Sequence, residues 1–534
     1  MTTPAKQLIS PGGPVTPNRG SLRRFATPGL ADAIFLVVLL RVVQMGATDL
    51  FNDPGTGWHL RTGLEVLATG EVPAADAYSA TCGSQPWVAT QWLGDVILAL
   101  GYVLGGYTLV AMGTAVLLAG LFRWLYRAQV SCGGWPVVAA LVTLAAACAA
   151  SIHFLARPLL ATFVGVPLCF WWATSYARGQ AGPVRVWLLA PLAVVWCNIH
   201  PGVLGGVATV VLCGSGLLTQ AVLTRSAAHR RQRISRAFLL LFVGAVMGMT
   251  TLLNPYGVHW HAWISRLMGT SVLSRYVSEW KPLHWADAAA LVGAALALLA
   301  IGTAVVRRRG FTIAEGLVVS FWVFQAAQSA RHLPLMVLIV GLQLGRVLAG
   351  IRTDSPRLLA LGRRIPLFSP GIRDAELRSA GGLVSTAGVA VLLALVGAGV
   401  TLPALGLGNA GPPEQRYSPG ALAYLRHHGP QGRFFNDLNY GGTLIRDVPG
   451  LPVFVDDRFG LYGEEFIEHY CRAVLEPDRH AARLLDRWQI ETVLVGSKLP
   501  LCGWLADQPD WTPRYQDGAA AIYARLPERQ EHTP

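Results

Sequence analysis

The feature that most constrains this chain is a series of long apolar runs whose connections alternate between arginine-rich and arginine-poor. A helix needs roughly 20 apolar residues to cross the hydrocarbon core of a bilayer, and by that rule about eleven segments qualify. Their limits are Leu30 to Ala47, Gly106 to Arg127, Gly134 to Ser151, Leu159 to Ala177, Val186 to Cys197, Val203 to Thr224, Ala237 to Leu253, Trp285 to Val306, Thr312 to Ala327, Leu333 to Ala349 and Leu383 to Leu402. Lipid offers no hydrogen-bond partners, so each run is read as a helix that satisfies its own backbone. Composition agrees: 53% of the 534 residues are hydrophobic and only 14% charged, too apolar for a chain of this size in water. The stretch Gln91 to Leu104 starts in a polar loop and meets Gly105-Gly106, so it reads as a helix lying on or dipping into the membrane.

Arg123 and Arg127, Arg178 and Arg185, Arg225 through Arg236, Arg307 through Arg309, and the cluster Arg352 through Arg378 occupy every second connection. That is the positive-inside pattern; it puts the N-terminus in the cytosol and the C-terminus outside, as in a multi-pass bacterial inner-membrane protein. The net charge of +13 then belongs to orienting loops. No basic patch interleaved with aromatics stands outside them, which argues against nucleic acid as a partner. Residues 1–29 read as a disordered basic cytoplasmic tail, 30–403 as the membrane domain with a first outer loop over 48–90, and 404–534 as a small extracytoplasmic α/β domain. In that last part the β-like runs Arg433 to Phe435, Val453 to Val455, Thr492 to Val495 and Ala520 to Ala524 alternate with helical Pro419 to His428, Glu464 to Leu475 and Arg479 to Trp488. Cys471 and Cys502 both fall there and are placed to pair in an oxidising compartment.

Polar and ionisable groups near membrane depth are costly, so they mark candidate sites. Nearly all lie in the arginine-poor connections. The first loop carries Asp49, Asp53, Glu65, Glu71 and Asp76 against Arg61, and its run Asn52 to His59 places ionisable side chains just past the first helix. A half-buried carboxylate there acts as a base, whereas the structural reading makes Asp53 and Asn52 helix caps. Further along come His153 and Arg157, Asn198 and His200, Asn254, Glu279 with Trp280, and Arg331 with His332. Taken singly, an arginine snorkels and an asparagine caps. Headgroup anchoring, however, predicts neither Arg/His pairing nor its restriction to one leaflet. Two guanidinium forks with imidazoles in one cavity suit a phosphate. Neither a phosphate-binding glycine loop, nor a zinc-protease helix, nor a nucleophile elbow occurs.

The run Asp53-Pro-Gly-Thr-Gly-Trp58-His59-Leu-Arg-Thr-Gly63, then Gly70 to Pro73, Asp76 to Ser79, Gln85-Pro-Trp87 and Gln91-Trp92-Leu93, resembles the bacterial branch of the GT-C superfamily. These are multi-pass glycosyltransferases that use polyprenyl-phosphate-linked sugars. The likeness continues through His153 to Pro158, Trp196 to Gly202, Asn254 to Gly257, Glu279-Trp280 and Arg331 to Pro334, and ends with Gly441-Gly442 and Val455 to Arg458.

The resemblance implies a GT-C-like helical fold and transfer of a sugar from a polyprenyl phosphate to a glycan, lipid or protein acceptor on the non-cytoplasmic face. Asp53 matches the family's first-loop carboxylate and would be the general base, with His59 or Asp49 beside it. Arg157, Arg331, His332, His153 and His200 would hold the donor phosphate. Trp58, Glu279, Trp280, Asn198, Asn254, Asp456, Asp457 and Arg458 would hold sugar or acceptor. Gly55 stands where a second acid of an Asp-x-Asp pattern is frequent, which leaves a divalent metal, Mg2+ or Mn2+, open. The competing classes are a flippase for lipid-linked glycans and an inactive lipid-binding assembly factor.

Overall fold

The computed structural model describes residues 27–284, 286–307, 311–348, 370–379, 382–400 and 410–527. The tail up to residue 26, Arg308, Arg309, most of the cluster from Arg352 to Arg378, and the boundary expected at 403/404 lie outside the described residues. Every one of the apolar segments is helical where described. Among the described residues, seven helices are long and apolar enough to cross a membrane: Trp92–Ser131, Pro136–His153, Leu160–Ala177, Val203–Val222, Ala227–Thr250, Ala288–Val306 and Ala330–Leu348. Three shorter apolar ones are Pro183–Ile199, Ile313–Gln328 and Leu383–Gly397, and Leu30–Met45 opens the bundle. The chain is a multi-pass helical membrane protein with a small α/β unit at its C-terminal end.

Packing follows the sequence. Leu333–Leu348 is apolar on all sides and buried from Leu333 to Gly345, as expected of a central helix. Small residues let neighbouring helices close up: a Cβ on Gly216 would lie 2.5 Å from the Ala314 Cα, and one on Gly345 2.6 Å from the Gln129 Cα. The outward faces expose Leu104, Val222, Leu298 and Val306, which lipid accepts. Gln91 to Leu104 is the first arm of Trp92–Ser131, broken at Gly105 and at Gly106, whose φ of 60° and ψ of −160° suit glycine alone. That arm exposes Ile97, Leu100, Val103 and Leu104.

The C-terminal unit is built on a four-stranded sheet of order β1-β2-β4-β3, with β1 at Arg433–Asn436, β2 at Ile490–Gly496, β3 at Trp511–Gln516 and β4 at Ala520–Arg525. β1 and β2 run parallel, the other neighbours antiparallel. The strand expected at Val453 to Val455 does not enter this sheet. Its Val453 instead bridges Ser79 of the first loop, while β3 was not foreseen because its alternation is interrupted by Pro513 and Arg514. Cys471 and Cys502, whose pairing the sequence left open, are both free and buried.

The first loop and the C-terminal unit share one core. Trp58, Tyr78, Cys82 and Trp87 pack with Phe454, Val455 and Leu461. The Ala80 N–H donates to the Val453 carbonyl at 2.8 Å and the Val453 N–H to the Tyr78 carbonyl at 2.9 Å. Arg458 clamps the two, reaching Asp76 of the loop at 2.7 Å and its own neighbour Asp456 at 2.7 Å while stacking over Trp87. Helix Thr56–Thr69 presses on Leu438–Asp447 so closely that a Cβ at Gly57 would stand 2.0 Å from the Gly442 carbonyl. Breaking a buried ion pair by removing one partner costs about 3–5 kcal/mol. Arg458→Met is therefore expected to lower the unfolding midpoint of the full-length protein and open the 48–90 loop to protease, with membrane insertion unchanged. An unaltered midpoint and cleavage pattern would refute the clamp.

Candidate functional site

A cavity of about 1260 Å³ lies where the helix ends, the first loop and the C-terminal unit meet. Asp53 stands at its centre. The helix beginning at Thr56 is capped by Gly55, not by Asp53 or Asn52, so the capping reading of those two is corrected. The Asp53 side chain accepts instead from the Gly55 N–H at 3.0 Å, and its other oxygen accepts from Arg157 Nη1 at 2.8 Å. Arg157 is carried into place by the turn between the helices that end at Ala150 and begin at Leu160, where the Ala156 N–H donates to the Leu50 carbonyl at 2.9 Å.

Around this pair stand the other charges. Arg157 Nη2 is 3.9 Å from Asp457 Oδ2, whose partner oxygen accepts from Trp58 Nε1 at 2.6 Å. Glu279 Oε2 lies 4.0 Å from His153 Nδ1, and neither ring nitrogen of His153 has a partner although the side chain is buried. Arg331 lies over the Trp280 ring at 4.3 Å, so one indole face is taken by a guanidinium rather than left for a sugar. Arg416 donates to Asn52 at 2.7 Å and to Asn439 at 2.6 Å, closing the wall on the side of the C-terminal unit.

Burial pushes the Asp53 carboxyl above the ordinary carboxylate range even though Arg157 pulls it down. Burial, reinforced by the Asp53 charge, pushes Asp457 up to about 7. Glu279 goes the other way: burial opposes its charge, but Arg331, Arg157 and His153 outweigh that and hold it below the usual value. Arg157 stays charged because Asp53, Glu279 and Asp457 more than offset its burial.

The structure therefore brings together Asp53, Arg157, Arg331, His153, His332, Trp58, Glu279, Trp280 and Asp457 on one cavity. Four expected members stand apart from it. His59 points away, buried against Asp95 with Nδ1 and Oδ1 2.6 Å apart, and stacks on Trp58 at 3.6 Å. Asn198 accepts from Trp92 Nε1 at 2.8 Å and donates to the Leu253 carbonyl at 3.0 Å, joining three helix ends. Asn254 closes its own turn by accepting from the Tyr256 N–H at 2.8 Å. Asp456 is consumed by Arg458 and by the Tyr462 hydroxyl at 2.8 Å. Three others line the cavity with part of their hydrogen-bonding capacity engaged by the protein. His200 is held by Thr162 at 2.8 Å and accepts from the Gly202 N–H at 2.9 Å, and Arg458 is spent in its clamp. Asp49 sits exposed at the rim, accepting from the Thr48 hydroxyl at 3.0 Å.

Neither a protein-family model nor a curated protein sequence matches the chain. Solved structures do. The crystal structure of the Archaeoglobus fulgidus oligosaccharyltransferase, tethered with an acceptor peptide containing the NVT sequon, superposes with a TM-score of 0.53. The match covers 93% of this chain and 75% of that one at 12% identity. The crystal structure of ArnT from Cupriavidus metallidurans bound to undecaprenyl phosphate gives a TM-score of 0.49 over 93% of this chain and 98% of that one, at 14% identity. The fold is shared with that oligosaccharyltransferase.

The residue that sequence reasoning missed is Arg416. It sits in a polar stretch between the last apolar segment and the α/β unit, where one arginine among polar neighbours carries no signal. Among the described residues no group of three or more His, Cys, Asp or Glu is arranged to hold a metal ion. Asp53 and Asp457 both face the Arg157 guanidinium already, so this pair of carboxylates does not fit a divalent ion. His59→Leu leaves Asp95 buried without its partner and unseats Trp58. It is expected to destabilise the protein by about 3–5 kcal/mol, read as a fall in the unfolding midpoint. A midpoint equal to wild type would restore His59 to the list of groups free for chemistry.

Proposed function

We propose that the protein is an inverting glycosyltransferase that moves a sugar from a polyprenyl phosphate to an acceptor hydroxyl in this cavity. The observation that carries the reading is the meeting of one elevated carboxylate, Asp53, with two arginines, Arg157 and Arg331, in a single cavity at the helix ends. The chemistry needs both signs of charge. Asp53 takes the proton of the attacking hydroxyl, and burial makes it a stronger base than a free carboxylate. The hydroxyl oxygen bonds to the anomeric carbon as the bond to the bridging phosphate oxygen breaks, and the electron pair leaves with the lipid phosphate. Arg157 and Arg331 receive that charge through paired N–H groups in a site shielded from water.

His153 and His332 supply further hydrogen bonds to phosphate or sugar; among the described residues neither nitrogen of His153 has a hydrogen-bond partner. The uncovered face of Trp280 and the ring of Trp87 offer apolar surface to a pyranose. The proposed site belongs to the non-cytoplasmic face of a bacterial inner membrane, the side opposite the arginine-rich connections. A flippase would want a polar path through the bundle. At the arginine-rich side Glu315 has both oxygens engaged, by Arg178 at 2.6 and 2.7 Å and by Arg346 at 3.1 Å, so its carboxylate is not free to line one.

Asp53→Asn is expected to insert and fold normally but to cut sugar transfer in isolated membranes by about 10²-fold or more, the usual scale for loss of a general base. Transfer near the wild-type rate would remove Asp53 from the mechanism. Arg331→Ala is expected to weaken undecaprenyl phosphate binding roughly tenfold to a hundredfold, the worth of one or two hydrogen bonds to a charged group. Unchanged affinity would rule out its part in a phosphate clamp. Mass spectrometry of lipid-linked sugars and envelope glycans in a deletion strain identifies the sugar.

A further inference from the structure

The space above Gly55 holds a carboxylate from the other end of the chain. A Cβ at Gly55 would stand 2.8 Å from Asp457 Oδ2, 3.1 Å from Asp53 Oδ2 and 3.2 Å from Trp58 Nε1. Two carboxyl groups therefore converge on the volume that any side chain at position 55 would fill. The second acid that the loop itself lacks is delivered there by the C-terminal unit. Their side chains are 5% and 9% exposed, and one guanidinium, Arg157, faces both.

One cation balances one anion. Two carboxylates this close in a water-poor site cannot both be charged at little cost, so the pair titrates in two steps. The remaining neighbours do not change that balance. Arg416 favours the charged form of Asp53 and Glu279 disfavours it while stabilising Arg157 and Arg331, so the two offset at Asp53, and the Asp456 charge beside Asp457 is held by Arg458. Contacts decide which member keeps the charge. Asp53 has the guanidinium at 2.8 Å and the Gly55 N–H at 3.0 Å, whereas Asp457 has only the neutral Trp58 N–H in hydrogen-bond range, with the guanidinium at 3.9 Å.

We propose that Asp457 is a second carboxyl of the reaction centre, presented over Gly55 by the C-terminal unit and sharing one proton with Asp53. Asp53 is the charged member. Asp457 is the neutral one, and its O–H donates a hydrogen bond to a phosphoryl oxygen of the lipid donor. The pairing rests on the geometry alone; the identity of that oxygen rests on the glycosyl-transfer reading. A neutral acid helps to hold a phosphate where a second carboxylate would repel it. Loss of the Asp457 proton near pH 7 is therefore a loss of donor binding.

Infrared difference titration of the full-length protein in lipid nanodiscs tests the pair without any substrate. The wild type should show a protonated-carboxyl band that vanishes between about pH 6 and pH 8, absent from Asp457→Asn. Asp457→Gly should lose it, and adding Gly55→Asp to that variant should return it by restoring the acid from the loop side. A band that persists in Asp457→Asn overturns the pair. In parallel, undecaprenyl phosphate should bind the wild type about tenfold more weakly at pH 8 than at pH 6 once corrected by the change seen in Asp457→Asn, where only the phosphate's own second ionisation near pH 6 titrates. The same pH dependence in both proteins overturns the hydrogen bond to phosphate. Failure of either protein to bind undecaprenyl phosphate at any pH sinks the donor reading, and the infrared result still decides the pair.

Discussion

Everything at the site hangs on one buried guanidinium. Arg157 stands between a carboxylate from the first loop and another from the C-terminal unit, at 2.8 and 3.9 Å. A charge taken out of water persists only where opposite charge and hydrogen bonds compensate it. Here the compensation comes from segments that are distant in sequence, so the ionisation of the site requires the first loop, the 151–159 turn and the C-terminal unit to be in register. The geometry of the cavity and the docking of the C-terminal unit are thus a single structural fact.

That docking is why the glycines of the first loop matter more than its acids suggest. Gly57 admits the Gly442 carbonyl, Gly63 admits the Asp95 backbone, and Gly55 admits the Asp457 carboxylate. Each is a contact that a methyl group would block. With the Arg458 clamp to Asp76 and Asp456, these close approaches make the loop a floor for the C-terminal unit rather than a flap.

The sequence showed the membrane bundle plainly because apolar length is a local property: each span could be bounded without knowing its neighbours. The helices Pro419–His428 and Glu464–Leu475 were legible at their exact limits for a similar reason, since Pro419 opens one and Gly463 precedes the other. The gathering of Asp53, Arg157 and Arg331 was legible only as a shared leaflet, inferred from arginine alternation. What could not be read was direction. His59 follows Trp58 on the helix about 100° further round, so although the two rings stack, its Nδ1 reaches Asp95 and not the cavity. Asn198 looked like a ligand and is a strut between helices. Within Asp456-Asp457-Arg458 the outer two are spent on each other and the middle one reaches the cavity, a division that depends on the Asp76 partner contributed from the first loop.

The two ends of the bundle show how structural and chemical polar groups differ. At the end away from the cavity, Glu315 accepts from Arg178, Arg346 and its own capping Thr312 N–H, so its lone pairs are filled by the protein. At the cavity end, His153 is buried with both nitrogens unpartnered and Asp457 sits above its ordinary range. An unfilled buried donor or acceptor costs roughly 1–3 kcal/mol. Such atoms also occur away from the cavity, Arg346 Nε among them, so His153 points to a ligand only through its place on the wall that carries Arg157 and Arg331. On the proposed reading a donor phosphate would bring charge and hydrogen bonds to that wall together, meeting His153 and the arginines at once.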